Sequence, residues 1–122
     1  MSTFGNHFKL HEKFHKDAVN AENYEGTRVE AYFLSAYQLI EACAAKERVH
    51  INKHQKVRKM LDENNFIFNE DTETAWRSFQ YIENQKRPKF AYSMSWTRED
   101  LEDVQEAYDK IVKLCYKKLG KR

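Results

Sequence analysis

The chain has very few of the residues that make tight turns. Its 122 residues include three glycines and one proline, Pro88, and no glycine lies between residues 27 and 119. Turn-rich β architectures need many residues at positive φ, which glycine adopts most readily. The shortage of glycine therefore excludes a turn-rich β fold and predicts an all-α protein.

Cysteines are also few, and long apolar runs are absent. Cys43 and Cys115 are far apart inside helical patterns. This spacing does not indicate a disulfide framework and favours a reducing environment. No stretch approaches the roughly 20 apolar residues that span a bilayer, and the N-terminal segment lacks the apolar region of a signal peptide. We therefore expect a cytoplasmic protein with no membrane association.

Composition predicts one folded domain covering residues 1–122. Charged residues make up 33% of the chain, but aromatic residues reach 14%, which is atypical of disordered sequences. The net charge of +2 does not by itself indicate a partner.

Hydrophobic periodicity predicts a bundle of about five helices. The predicted segments are 6–23, which ends near Gly26, then 28–47, 52–63, 72–86 and a last helix that begins at Thr97 and ends just before Gly120. The second segment is apolar nearly all round, so we expect it to be the buried central helix. Thr27 and Glu30 have the spacing of a capping box at its start. Since proline disfavours α conformation in the preceding residue, we expect the fourth helix to end at Lys86 or Arg87.

Charge is arranged in blocks of opposite sign. Residues 46–59 and 86–98 are basic, and aromatic residues occur between the basic ones in the second block, whereas 62–85 and 99–109 are acidic. Basic groups interleaved with aromatic rings suit phosphate contacts and base stacking. The alternative is a structural role, in which Lys86 and Arg87 only offset a helix dipole.

The order of four segments resembles the HEPN domain family, in particular its small stand-alone prokaryotic members. The segments are EAYFLSAYQLIEA (30–42), NKHQKVRKML (52–61), RPKFAY (87–92) and TREDLEDVQEAYDKIV (97–112). The resemblance implies an up-and-down helical bundle, a homodimer, and binding of RNA, a nucleotide or a minimal nucleotidyltransferase, as in toxin–antitoxin systems. It implies no cofactor. The implied binding residues are Lys53, His54, Lys56, Arg87, Lys89 and Tyr92.

Ribonuclease members of that family use an arginine followed four to six residues later by a histidine. Here Arg87 is followed by Tyr92 in the corresponding position, and no histidine occurs after His54. Tyrosine has a pKa of about 10 and is a poor acid–base group near neutrality. We therefore predict a binding module without catalysis. The alternative is a metal-independent ribonuclease that uses Arg87 with Tyr92, or Arg48 with His54.

Several polar residues have two interpretations. Ser35 and Glu41 lie on the apolar second helix, where they could line a cleft facing Arg87, or Glu41 and Arg87 could form a structural ion pair. His7, His11 and His15 recur every fourth residue on one face of the first helix, which is compatible with a metal site. Packing of these histidines against the core, or their position at a dimer surface, is favoured, because they share the face of the phenylalanines. Trp76 and Trp96 are interpreted as core or interface anchors, and a purely structural dimerisation module is a further alternative.

Overall fold

The protein is a bundle of helices in a computed structural model that describes residues 3–93 and 95–121. The helices are α1 (Phe4–Val19), α2 (Glu25–Lys46), α3 (Val57–Glu63), α4 (Thr72–Gln80), α5 (Arg87–Tyr92) and α6 (Arg98–Leu119). Short 3-10 turns, His54–Lys56 and Asn69–Asp71, precede α3 and α4, and a π-helical turn, Tyr81–Lys86, joins α4 to α5. Since α4, the π turn and α5 follow one another without a break, the described residues form five helical rods and no strand. The predicted all-α bundle is confirmed.

Helix α2 is the centre of the bundle, as its apolar composition predicts. Thirteen of its 22 residues are buried, and it contacts α1, α4, α5 and α6. Although α2 is long and largely buried, no helix within the described part of the chain is both long and apolar enough to cross a membrane.

The ends of α6 lie where the sequence places them. Thr97 accepts a hydrogen bond from the amide of Asp100, and the Asp100 carboxylate accepts one from the amide of Thr97 at 2.8 Å. At the other end Gly120 adopts a left-handed conformation with φ of 71°. These are local signals, and they do not depend on the rest of the fold.

The capping box predicted at Thr27 is wrong. Helix α2 begins at Glu25, and the amide of Arg28 donates to the Tyr24 carbonyl at 3.0 Å. Gly26 therefore lies in the first turn of α2 instead of ending α1. A Cβ atom there would be 2.6 Å from the Tyr24 ring and 3.3 Å from the Phe90 carbonyl, so glycine allows this close packing.

The helix end predicted at Lys86 or Arg87 is also wrong, because the π turn accommodates Pro88. The amide of Arg87 donates to the Ile82 carbonyl, five residues back, and the backbone of Arg87 stays helical at φ −52° and ψ −45°. Pro88 then occupies the first turn of α5, where a missing N–H costs little. The chain therefore remains helical from Thr72 to Tyr92.

Lys86 fastens the π turn to α6. Its Nζ donates to Asp100 at 2.7 Å and to Asp103 at 2.9 Å, and the Lys86 side chain is buried. Burial opposes the charge of Lys86, but the hydrogen bonds that it donates to the two carboxylates outweigh this effect and raise the pKa of the lysine. The hydrogen bond from Lys86 also holds the pKa of Asp100 well below its usual range. Lys86 is thus a structural clamp, although the sequence places it in a basic surface segment.

The two cysteines meet in the core despite their separation in sequence. The Cys43 thiol on α2 donates to the Cys115 carbonyl on α6 at 3.7 Å, and both residues are fully buried free thiols. Burial raises the pKa of the Cys115 thiol well above its ordinary value. Both cysteines therefore act as apolar packing groups.

Candidate functional site

Arg87 is held in a fixed orientation by Glu30 of α2. Its Nε and Nη2 atoms donate to the two carboxylate oxygens of Glu30 at 2.8 and 2.9 Å, which is the bidentate geometry of strong arginine–carboxylate pairs. The hydrogen bonds to Glu30 raise the pKa of Arg87. The guanidinium carbon also lies 4.3 Å from the centroid of the Phe33 ring, and 31% of the side chain remains exposed. Arg87 is therefore oriented but still reached by solvent.

The predicted pairing of Arg87 with Glu41 is wrong. Glu41 accepts hydrogen bonds from the Tyr37 hydroxyl and from the amides of Ile51 and Asn52, at 2.8 to 3.2 Å. It anchors the loop after α2, and it does not line a cleft. Burial and the hydrogen bond to Glu41 raise the pKa of Tyr37.

His54 opens the 3-10 turn before α3 and is oriented by Glu83 of the π turn. Its Nδ1 atom lies 2.5 Å from the Glu83 carboxylate, and its ring contacts Phe33 and Tyr37 edge-on. Among the described residues, Nε2 has no hydrogen-bond partner, and it is not one of the fully buried nitrogens. A histidine with a carboxylate on one nitrogen and solvent at the other has the arrangement of a general base.

Arg87 and His54 therefore come together at one aromatic ring. The Arg87 guanidinium carbon and the His54 ring centre lie 4.3 and 5.1 Å from the Phe33 ring centre. We call Glu30, Phe33, His54, Glu83 and Arg87 the Phe33 cluster. The two basic segments of the sequence thus meet in space at this ring.

The remaining predicted binding residues are all exposed, and one of them also makes an ion pair. Lys53 and Lys56 are exposed on either side of His54 in the chain, and Tyr92 is 88% exposed at the end of α5. Lys89 donates to Asp100 at 3.2 Å.

Arg48 belongs to the turn after α2 and gives no support to a pairing with His54. It lies exposed, with φ of 61°. The side-chain contacts of His54 are with Glu83, Phe33 and Tyr37.

Ser35 and the N-terminal histidines form a separate buried network between α1, α2 and α6. Ser35 donates to the His11 carbonyl, and its hydroxyl is within 2.8 Å of both His11 Nδ1 and the Tyr108 hydroxyl. His11 Nε2 lies 3.1 Å from the Tyr116 hydroxyl. Ser35 therefore does not face Arg87, because its side chain points toward α1 and α6.

The histidine face has a packing role. His7 and His11 are buried, as the packing interpretation predicts, and His7 Nδ1 lies 2.7 Å from the Gln38 carboxamide oxygen. His15 is exposed and stacks on Tyr108. In residues 3–93 and 95–121, no group of three or more His, Cys, Asp or Glu side chains is placed to hold a metal ion. Burial lowers the pKa of His11, so the ring is neutral in the fold at neutral pH.

Three members of the Phe33 cluster were not predicted from sequence: Glu30, Phe33 and Glu83. Phe33 looked like an ordinary core residue, and it is fully buried. Glu83 lies in an acidic segment that suggested a solvated surface. Glu30 was assigned to a capping box, and no local signal distinguishes it from Glu41 as a partner for arginine.

Comparisons with known proteins do not identify a family. No family model, no curated protein sequence and no solved structure matches the chain. The resemblance to the HEPN family therefore stays a prediction, and the chemistry of the Phe33 cluster carries the functional argument.

Proposed function

We propose that the chain is a HEPN-like domain that binds single-stranded RNA, with a phosphodiester group at the Phe33 cluster. The observation that carries this proposal is the convergence of Arg87 and His54 on the Phe33 ring. A fixed guanidinium and an imidazole that contact the same ring, each with 31% of its side chain exposed, are suited to a phosphate group. Lys53 and Lys56, exposed next to His54, add the longer-range attraction that nucleic acid binding uses.

The carboxylates of the cluster are compatible with phosphate binding. Arginine has five N–H donors, of which Glu30 engages two. Glu30 thus orients the guanidinium and leaves its other donors for a ligand. Because Glu30 and Glu83 also reduce the positive charge of the site, we expect moderate affinity that depends on several contacts along an RNA chain.

RNA cleavage is the second candidate function, and the orientation of His54 is the observation that favours it. Glu83 engages Nδ1, no described residue is hydrogen-bonded to Nε2, and 31% of the His54 side chain is exposed. In the reaction we consider, His54 Nε2 takes the proton of a ribose 2′-hydroxyl, and the 2′ oxygen forms a bond to phosphorus. The bond from phosphorus to the 5′ oxygen breaks, and water protonates the leaving oxygen. His54 then returns its proton to the resulting hydroxide, while Arg87 stabilises the charge that develops on the phosphate. The products are a 2′,3′-cyclic phosphate and a 5′-hydroxyl end.

The test measures binding and cleavage in the same samples. A fluorescein-labelled single-stranded RNA of twelve nucleotides is incubated in EDTA with wild type, Arg87→Ala or His54→Gln. We expect Arg87→Ala to weaken binding at least tenfold and to reduce the slope of log affinity against log salt by about 0.7. If His54 transfers the proton, His54→Gln retains most of the binding but loses cleavage by about 10²- to 10⁴-fold.

Two matched controls separate these effects from general loss of charge or fold. Arg98→Ala removes an exposed arginine that only approaches Glu102, at 3.8 Å, and should leave binding unchanged. Tyr92→Phe keeps the aromatic ring of this implied binding residue and removes only its hydroxyl, so cleavage should be unchanged if His54, and not Tyr92, transfers the proton. Equal binding by wild type, Arg87→Ala and Arg98→Ala would contradict the proposal. That result would direct attention to the implied homodimer or nucleotidyltransferase partner.

A further inference from the structure

A second polar surface adjoins the π turn that supplies Glu83. It is a groove of about 460 Å³ between α3 and α4. The residues that line it include Arg58 of α3, Trp76, Arg77 and Gln80 of α4, and Asn84 and Gln85 of the π turn. None of these residues belongs to the Phe33 cluster, but Asn84 follows Glu83 directly in the chain.

Trp76 orients the two arginines of the groove. The guanidinium carbons of Arg58 and Arg77 lie 4.1 and 5.2 Å from the centroid of its ring. Both side chains are more than half exposed, and each has a carboxylate of its own helix near Nε: Asp62 at 3.9 Å and Glu73 at 2.6 Å. The outer nitrogens of both guanidiniums therefore remain available to a ligand, in an orientation that the tryptophan ring restrains.

Amide side chains supply the remaining polar groups of the groove. Asn84 and Gln85 are exposed, and Gln80 is half-buried. Within the described residues, none of these three amide groups takes part in an intramolecular side-chain hydrogen bond. π turns occur frequently at functional sites. Here the π turn presents two adjacent amides, each with a donor and an acceptor, beside the arginine pair.

We propose that this groove binds purine bases of the single-stranded RNA whose phosphate lies at the Phe33 cluster. Guanidinium groups pair with guanine O6 and N7, and carboxamides pair with adenine N6 and N7. Pyrimidines lack N7 and cannot make either two-point contact. Unstacked RNA bases also lie flat on arginine side chains. The groove is within the roughly 300–1,000 Å³ of small-molecule sites. The placement of the RNA rests on the proposed function, whereas purine binding by the groove can be tested alone.

The first experiment uses free nucleotides and the tryptophan indole N–H signals in ¹H–¹⁵N NMR spectra. The chain has only two tryptophans, and the Trp96 indole nitrogen is buried and packed beside Phe90, so Trp96 serves as an internal reference. We expect GMP and AMP to shift the Trp76 signal with at least tenfold tighter binding than CMP and UMP. Asn84→Leu and Gln85→Leu should abolish the preference for AMP over CMP and UMP, whereas the preference for GMP depends on Arg58 and Arg77 and should persist. The reference signal should not move. Lack of a purine preference in wild type would overturn the inference.

The second experiment distinguishes failure of the groove from failure of the Phe33 cluster. Adenine-rich and pyrimidine-rich RNAs of equal length are compared on wild type, Arg87→Ala and Gln85→Leu. If the groove selects bases, Gln85→Leu removes the preference for the adenine-rich RNA, whereas Arg87→Ala weakens binding of both RNAs equally. An adenine preference that persists in Gln85→Leu and in Asn84→Leu would contradict the groove. An unchanged affinity of Arg87→Ala, together with a lost preference in Gln85→Leu, would contradict only the proposed phosphate site.

Discussion

Replacing Lys86 with methionine tests whether the buried ammonium group holds the π turn to α6. The substitution keeps a flexible apolar stem but removes two charge-assisted hydrogen bonds, to Asp100 and Asp103. Each such bond contributes about 1.5–3 kcal/mol. Removing one partner of a fully buried ion pair costs about 3–5 kcal/mol.

The expected cost for Lys86→Met lies below that range, because neither carboxylate is left without a partner or solvent. Asp100 keeps Lys89 at 3.2 Å and its capping bond to Thr97, and Asp103 is one-third exposed. We therefore expect a decrease of about 2–3 kcal/mol in the free energy of unfolding. Urea unfolding, followed by tryptophan fluorescence, should show a midpoint about 1–2 M lower with the same slope.

The pH dependence of Lys86→Met provides an independent check. Since the folded-state pKa of Asp100 is below its unfolded value of about 3.9, its contribution to stability is complete above that pH. The contribution is lost as the pH falls from there toward the folded-state pKa. The free energies of unfolding of wild type and Lys86→Met should therefore become more similar below about pH 4. Arg98→Met, at an 88% exposed ion pair, is the matched control and should cost less than about 0.5 kcal/mol. Equal effects of the two substitutions would refute the clamp.

Three further predictions concern other parts of the fold. Glu41→Gln should lower the free energy of unfolding by about 2 kcal/mol, because a carboxamide nitrogen would then face a backbone N–H, and hydrogen exchange at Ile51 and Asn52 should accelerate. Because burial lowers the pKa of His11, unfolding takes up a proton. Stability measured in urea should therefore fall as the pH drops below about 6.5, with a weaker dependence in His11→Gln. Thr97→Ala should cost about 1 kcal/mol in thermal unfolding through loss of the α6 cap, whereas Thr97→Ser should cost almost nothing.

The predictions for α6 and α2, which depend on nearby residues or on composition, were confirmed, whereas a prediction that depends on the packing of the whole bundle failed. The ends of α6 depend on Thr97, Asp100 and Gly120, whose effects reach only a few residues, and these ends are confirmed. The buried position of α2 followed from its composition and is also confirmed. The rule for residues before proline failed at Arg87, because a bond to the Ile82 carbonyl allowed the helix to continue. That bond depends on the packing of the whole bundle.

The partner of Arg87 could not be chosen from sequence for a geometric reason. Glu30 and Glu41 are eleven residues apart, which is about three helical turns, so they lie on nearly the same side of α2. They differ mainly in height, by about 16 Å along the helix axis. Only the three-dimensional position of α5 shows that Arg87 reaches Glu30. The contacts of His54 with Glu83 and Phe33 could not be predicted either, because they depend on the path of the loop that Glu41 anchors.

The π turn makes the number of residues between α4 and α5 as important as their identity. Its backbone bonds span five residues where an α-helix spans four, so it contains one residue more per turn than the helices it joins. Deleting one residue between Tyr81 and Lys86 would allow an uninterrupted α-helix to form with nearly the same rotation between α4 and α5, because the π turn holds its extra residue within one turn. Inserting one further residue with α-helical geometry would instead rotate α4 by about 100° relative to α5, and Trp76 and Arg87 would lose their present angular relation. Substitutions in this turn can change single contacts, but such an insertion would displace the two surfaces as units.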